Sequence, residues 1–182
     1  MTKEEIKMSW DEASRRLYHP SLEEISAMYR NKKVTALNKI ALKYRQFSIT
    51  GFVMAVVSVV WGVQFALLPS MKGGITVATL MMIYFTTCGI IDNWLYRGIS
   101  QIDCYEMTVK MVMEKALYYK KKHLQSMIFT IPFMFVILAT MADFFRADKY
   151  VLIGMLLGFI IGLTVGLYQF RQFMTQYRVM TA

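Results

Sequence analysis

Four long apolar stretches dominate the pattern of hydrophobic and polar positions along this chain of 182 residues. They cover residues 47–68, 74–96, 126–144 and 150–170. Each has about the 20 residues that a helix needs to cross the hydrocarbon core of a bilayer. One such stretch would also suit a buried helix of a soluble protein, but four in so short a chain favour membrane helices. The sequence therefore predicts an all-α integral membrane protein with four transmembrane helices.

The polar segments between these stretches divide the chain into five parts. We predict a cytoplasmic helical segment at 1–46, a first transmembrane hairpin at 47–96, a cytoplasmic amphipathic helix at 97–125, a second hairpin at 126–170 and a cytoplasmic tail at 171–182. In the middle segment, Ser100 and Asp103 have the spacing of a helix cap, and apolar residues follow at steps of three and four. We expect 1–46 and 97–125 to pack on each other as a helical cap. The alternative is that their apolar faces serve another protein.

The orientation follows from lysine and arginine. Of the 21 such residues, ten precede the first stretch, six lie between the second and third, two follow the fourth, and three lie in the short turns. Because cytoplasmic flanks of membrane helices are enriched in these residues, both termini and the middle segment should be cytoplasmic. The net charge of +9 then forms a collar that attracts anionic lipid, which explains the charge without nucleic acid. No cleavable signal sequence precedes the first span, which we expect to be an uncleaved anchor.

Small residues predict how the membrane helices pack. The fourth stretch has a glycine at every fourth position, which is typical of a glycine zipper and allows another helix backbone to approach closely. The first stretch has a similar stripe of small residues. We predict that spans one and four pack together within one subunit; the alternative is a homodimer through span four. The helix-packing residues are Gly154, Gly158, Gly162 and Gly166 in span four, and Gly51, Ala55 and Gly62 in span one.

A few polar residues fall inside the apolar stretches. Asp92 is ionisable and lies a turn from the cytoplasmic end of span two, beside Asn93, and an ionisable residue there is a candidate for function. We expect it to form a structural pair, for which Arg97 is within reach, or to be an interfacial group. The alternative is a small dimeric channel or transporter whose polar membrane site includes Asp92, Asn93, Gln64 and Thr86.

The motifs of membrane enzymes are missing from the sequence. The two histidines, His19 and His123, both fall in cytoplasmic segments and form no HExxH motif, and neither a GxSxG motif nor a phosphate-binding loop is present. Cys88 and Cys104 are not expected to form a disulfide in a reducing compartment. We therefore predict a non-catalytic protein that needs no cofactor and no metal.

The N-terminal segment carries apolar residues at helical steps. Ile6, Trp10 and Leu17 share one face, and we predict that this face binds a cytoplasmic protein partner. The same segment contains Glu5-Ile6-Lys7, then Trp10 and Leu17, and then the basic stretch Leu37-Asn38-Lys39-Ile40. Through these residues the first 45 positions resemble small bacterial inner-membrane proteins with a helical cytoplasmic segment, some of them similar to membrane-bound anti-sigma factors. The resemblance implies a place in the bacterial inner membrane and regulation of a transcription factor. The zinc-binding His/Cys pattern of one anti-sigma class is not present in the sequence.

Overall fold

A computed structural model describes Glu4, residues 22–68 and residues 72–181, and within these ranges the chain is helical and has no strand. The four helices are α1 (Leu22–Leu67), α2 (Lys72–Ser100), α3 (Val109–Phe144) and α4 (Lys149–Thr181). All four are long and apolar enough to cross a membrane. The predicted all-helical class and the four apolar spans are confirmed.

The chain divides into two compact units, Met1–Lys32 and Lys33–Ala182. Of the first unit, the structure describes Glu4 and the opening turns of α1, where the side chains of residues 23–32 are exposed. The second unit contains the rest of α1 and the other three helices. The candidate partner residues Ile6, Trp10 and Leu17 lie outside the described residues.

The helix predicted for 97–125 is not a separate element. Helix α2 continues to Ser100, and α3 begins only at Val109 and then continues through the third apolar stretch to Phe144. Thr108 is the N-cap, and its hydroxyl accepts a hydrogen bond from the backbone N–H of Met111 at 3.4 Å. The predicted boundaries between cytoplasmic and membrane segments are therefore not helix boundaries on this side.

Asp103 caps a turn rather than a helix. Its carboxylate accepts hydrogen bonds from the backbone N–H groups of Tyr105 at 2.7 Å and Glu106 at 3.3 Å. Short polar side chains that bond to the backbone two or three residues ahead favour turns over helix interiors. The capping pattern at Ser100 and Asp103 was therefore assigned to the wrong element.

The buried core of the second unit lies where the helices leave the apolar stretches on the lysine-rich side. All four helices contribute to it, together with Ile102 from the connection between α2 and α3. For residues 33–46 this confirms the predicted packing against the middle segment. The core consists of Ala36, Leu37, Ile40, Ala41, Tyr44, Leu95, Ile99, Ile102, Val112, Ala116, Phe173, Tyr177 and Met180.

The most apolar parts of the helices are the least buried. Of the most apolar window in each helix, 22% of the residues are buried in α2, 6% in α3 and none in α4. Side chains such as Phe129 and Ile161 are 76% and 64% exposed. In water the hydrophobic effect would drive these surfaces together. Their exposure is that of helices solvated by lipid, so the chain is a multi-pass membrane protein.

Candidate functional site

Small residues bring α1 and α2 into direct contact. A Cβ atom on Gly51 would lie 3.0 Å from Gly89 Cα, and one on Gly62 would lie 3.4 Å from Ala78 Cβ. The buried hydroxyl of Ser48 donates a hydrogen bond to the carbonyl of Gly89 at 3.0 Å. The two contacts define an antiparallel register, and they show the close backbone approach that small residues permit between membrane helices.

The small-residue stripe of span one therefore packs on α2 and not on span four. Ala55 lies between the two glycines of this stripe and is also buried, at 7% exposure. Among the residues that the structure describes, the glycines of α4 have no close neighbour, because a Cβ atom on any of Gly154, Gly158, Gly162 and Gly166 would meet nothing within 4 Å. The predicted packing of the span-one stripe against the span-four glycines is wrong, because Gly51 packs against Gly89 of α2. The predicted homodimer through the α4 glycines stays a prediction.

The polar residues proposed for a membrane site lie at different depths. In the register set by Gly51 and Gly89, Asp92 is level with Ser48, whereas Gln64 is level with Thr76. These levels are about 24 Å apart along α1, at 1.5 Å per residue. Within one chain, Asp92 and Gln64 therefore do not belong to one site.

The other two members of this set, Thr86 and Asn93, lie on α2 and have intermediate exposure. Gln64 on α1 is exposed. Asp92 also has intermediate exposure. In the part of the chain that the structure describes, it forms no ion pair with Arg97. The expected structural pair between Asp92 and Arg97 is not seen.

The structure instead brings four ring side chains together in the core. Tyr44 of α1, His123 of α3, and Phe173 and Tyr177 of α4 form what we call the central cluster. The hydroxyl oxygens of Tyr44 and Tyr177 are 3.2 Å apart, and both residues are fully buried. The ring of His123 lies 5.5 Å from that of Tyr44 and 5.2 Å from that of Phe173. The cluster therefore links α1, α3 and α4.

The imidazole of His123 is the third polar group of this cluster. Its Nδ1 atom is buried and has no hydrogen-bond partner among the described residues. Burial lowers the pKa of His123 to about 4, because the charged imidazolium loses its hydration. The ring is therefore neutral at physiological pH.

The tyrosines of the cluster are neutral as well. Burial raises the pKa of Tyr177 to about 12. It also raises the pKa of Tyr44, and Tyr177 and the charge of Asp92 add to that shift. With three neutral groups and one phenyl ring, the central cluster holds no group that exchanges a proton near pH 7. Its geometry suits a structural link and not acid–base catalysis.

Lys43 lies next to the central cluster on α1. Its ammonium group donates hydrogen bonds to the side-chain oxygens of Gln169, at 3.0 Å, and Gln172. It also lies 5.5 Å from the ring centroid of Phe173, a distance typical of a cation–π contact. Partial burial lowers the pKa of Lys43. The charge is thus held by neutral partners.

Metal binding has no support in the described part of the chain. Within Glu4, 22–68 and 72–181, no three His, Cys, Asp or Glu side chains are grouped closely enough to hold a metal ion. His123 lies among aromatic rings rather than near other ligands.

The hydroxyl pair of the central cluster gives a testable coupling. We expect Tyr44→Phe and Tyr177→Phe each to cost about 1–3 kcal/mol of stability, because each leaves one buried hydroxyl without a partner. The double variant should lose much less than the sum, since neither hydroxyl remains. Thermal unfolding in detergent measures all three, with the exposed Tyr168→Phe as a control that should match the parent. Additive losses would show that the two hydroxyls are independent.

Two parts of the core were missed in the sequence analysis, although each had a signal. In the tail, Phe173, Tyr177 and Met180 follow at steps of four and three, the spacing of a buried helical face. His123 continues the spacing of Ala116 and Tyr119 on α3 by a further four residues. The sequence analysis placed His123 in a cytoplasmic segment without a packing role, and this spacing puts it on the helix face of Ala116, where it is partly buried.

Large apolar side chains are exposed on the hydrophilic part of α1. Ile25, Met28 and Tyr29 are 36%, 57% and 64% exposed. Their spacing of three and four residues places them on one helix face. Acidic and basic residues surround them in sequence, from Glu23 to Lys32. We call these three residues the exposed face.

Comparison with protein-family models, with curated proteins and with solved structures found no match to this chain.

Proposed function

We propose that this chain is a non-catalytic multi-pass protein of the bacterial inner membrane, with both termini in the cytoplasm, whose cytoplasmic helices bind a protein partner. The exposed face of Ile25, Met28 and Tyr29 is the observation that carries the proposal. Apolar residues at these steps on a hydrophilic helix are the usual means by which a helix fits a hydrophobic groove of another protein.

Charge supports the cytoplasmic placement of this face. Arg30, Lys32 and Lys33 follow it directly, and seven other cations belong to the same segment of 46 residues. Retention of such segments on the cytoplasmic side is a general rule for membrane proteins. A cytosolic protein is therefore the partner class that we propose.

The central core supports a binding role over a catalytic one. The helices build a core on the lysine-rich side of the apolar stretches, in which the hydroxyl groups of Tyr44 and Tyr177 are paired with each other. Such a core gives a rigid support on the membrane, which suits a protein that holds a partner in place.

The resemblance of the first 45 residues makes a transcription factor of the sigma class the first partner to test. In this proposal the membrane protein keeps the factor inactive at the membrane surface. The channel alternative has less support, because Asp92 and Gln64, which were predicted to share one polar site, lie at different depths.

Purification of the full-length chain in mild detergent tests the proposal. We expect a cytosolic protein to co-purify in a fixed ratio and to be lost from Met28→Ser/Tyr29→Ser, because serine removes the apolar face while the helix remains. The matched control is Val109→Ser/Met111→Ser, which removes two side chains of α3 that are 63% and 47% exposed. Equal loss from both variants, or purification of the chain by itself, would contradict the proposal.

A photo-crosslinking amino acid at position 28 provides a second measurement in living cells. The mass of the adduct identifies the neighbour, since a second copy of this chain would add 21.2 kDa. We expect an adduct with the co-purifying protein. Adducts with lipid only would show that the exposed face lies on the membrane surface instead.

A further inference from the structure

A groove between α1 and α4 lies beside the central cluster and has a volume of about 620 Å³. It is a mixed surface of cationic, amide and apolar side chains. Helix α1 contributes Lys39, Leu42, Lys43 and Gln46, and helix α4 contributes Tyr168, Arg171, Gln172, Thr175 and Gln176.

The residues that line the groove carry positive charge. Lys39, Lys43 and Arg171 are its charged members, and no Asp or Glu is among the lining residues. The oxygens that hold Lys43 belong to the neutral amides of Gln169 and Gln172. Three cations with neutral neighbours attract an anion, and the amide and hydroxyl groups beside them can donate hydrogen bonds to its oxygens.

The groove also lies at the edge of the membrane. Arg171 directly follows the apolar stretch 150–170, and Lys43 precedes the stretch 47–68 by four residues. Leu42 and Tyr168, which are 55% and 62% exposed, give the groove its apolar part. Beyond it, none of the residues in the most apolar window of α4 is buried. An anionic lipid bound here therefore has its headgroup in the groove and its acyl chains along α4.

We infer that this groove binds the phosphate headgroup of an anionic phospholipid, with Lys39, Lys43 and Arg171 around the phosphate and the acyl chains along the exposed surface of α4. Basic pockets between membrane helices at the inner surface are suited to such headgroups. The groove shares no residue with the exposed face of Ile25, Met28 and Tyr29.

Native mass spectrometry of the full-length chain in detergent tests the inference. We expect phosphatidylglycerol to occupy one site before any other. Lys43→Gln/Arg171→Gln should weaken this first binding about thirtyfold, because the loss of each cation lowers the affinity about fivefold. The matched control, Lys120→Gln/Lys121→Gln, removes the same charge beside the third apolar stretch and should bind as the parent does. Unfolding in detergent confirms that both variants are folded.

Two further ligands distinguish a lipid headgroup from a soluble phosphate as the molecule that binds. Phosphatidylcholine, which has the same acyl chains and no net charge, should bind at least tenfold more weakly. Glycerol 1-phosphate, which has the phosphate and no acyl chains, should not bind at the same concentration. Equal affinity for the two lipids, or equal loss in both charge variants, would overturn the inference. Equal affinity for glycerol 1-phosphate would replace the lipid with a soluble phosphate.

Discussion

Gly51→Leu is expected to destabilise the chain strongly, because it places a side chain where α1 meets the backbone of α2. The backbone of Gly89 lies 3.0 Å from the position of a Cβ atom at residue 51, and the carbonyl oxygen of Phe85 lies 3.1 Å from it. Backbone atoms of a helix cannot turn aside as a side chain can, so the two helices must separate. Overpacking of this kind typically costs about 1–3 kcal/mol and occasionally more. We expect the thermal midpoint in detergent to fall by several degrees.

Gly158→Leu is the matched control. It introduces the same side chain into another glycine of an apolar stretch, where a Cβ atom would meet nothing within 4 Å. Its midpoint should stay the same or rise slightly, because leucine favours helix more than glycine does. Size-exclusion chromatography of this variant also tests the predicted homodimer, since leucine would block the glycine face. Equal destabilisation by both substitutions would show that the contact of Gly51 with Gly89 is not special.

The second large effect is the pH dependence that His123 confers. Its folded pKa is about 4, against an ordinary value near 6.5. The unfolded chain therefore binds a proton at a higher pH than the folded chain. Stability is fully present above about pH 6.5 and is lost as the pH falls toward 4. The difference of about 2.5 units corresponds to about 3 kcal/mol.

His123→Phe keeps a ring against Tyr44 and Phe173 and removes the titration. We expect its thermal midpoint to fall less between pH 7.5 and pH 4.5 than that of the parent, and the difference should correspond to most of this free energy, because pH 4.5 is still slightly above the folded pKa of His123. At neutral pH it should be at least as stable as the parent, because the buried Nδ1 atom without a partner is gone. His19→Phe, at the other histidine of the chain, is the control. A profile identical to the parent's would show that His123 is hydrated in the folded state.

Asp92 shows the limit of reasoning from residue type in a membrane segment. An acidic residue near the end of a span suggests function or a salt bridge, and Arg97 is five residues away in sequence. The depth of Asp92 depends on the register of α2 against α1, which the contact between Gly51 and Gly89 sets. That register places Asp92 near Tyr44 and far from Gln64. The residue types at positions 64 and 92 do not predict how far apart in depth these two side chains lie.

The lipid groove shows the same limit from the opposite direction. Lys39, Lys43 and Arg171 were counted as separate members of a basic collar, and two of them are more than 120 positions from the third along the chain. They meet because α1 and α4 are neighbours at the central cluster, where Tyr44 contacts Tyr177. Charge counting predicts an attraction to anionic lipid in general, whereas the groove gives it a defined place.

The sequence by itself determined the helical class, the four apolar spans and the lysine-rich side, because a span of about 20 apolar residues needs no partner to be recognised. The sequence also contains the helical spacing of Phe173, Tyr177 and Met180, and that of Ala116, Tyr119 and His123, which indicates the inner face of each helix. The tertiary structure decided which small residues meet: Gly51 packs on α2, while a Cβ atom on any glycine of α4 would meet nothing within 4 Å in the described part of the chain. Small residues permit close approach to any helix, and the choice among neighbours depends on the packing of all four helices together.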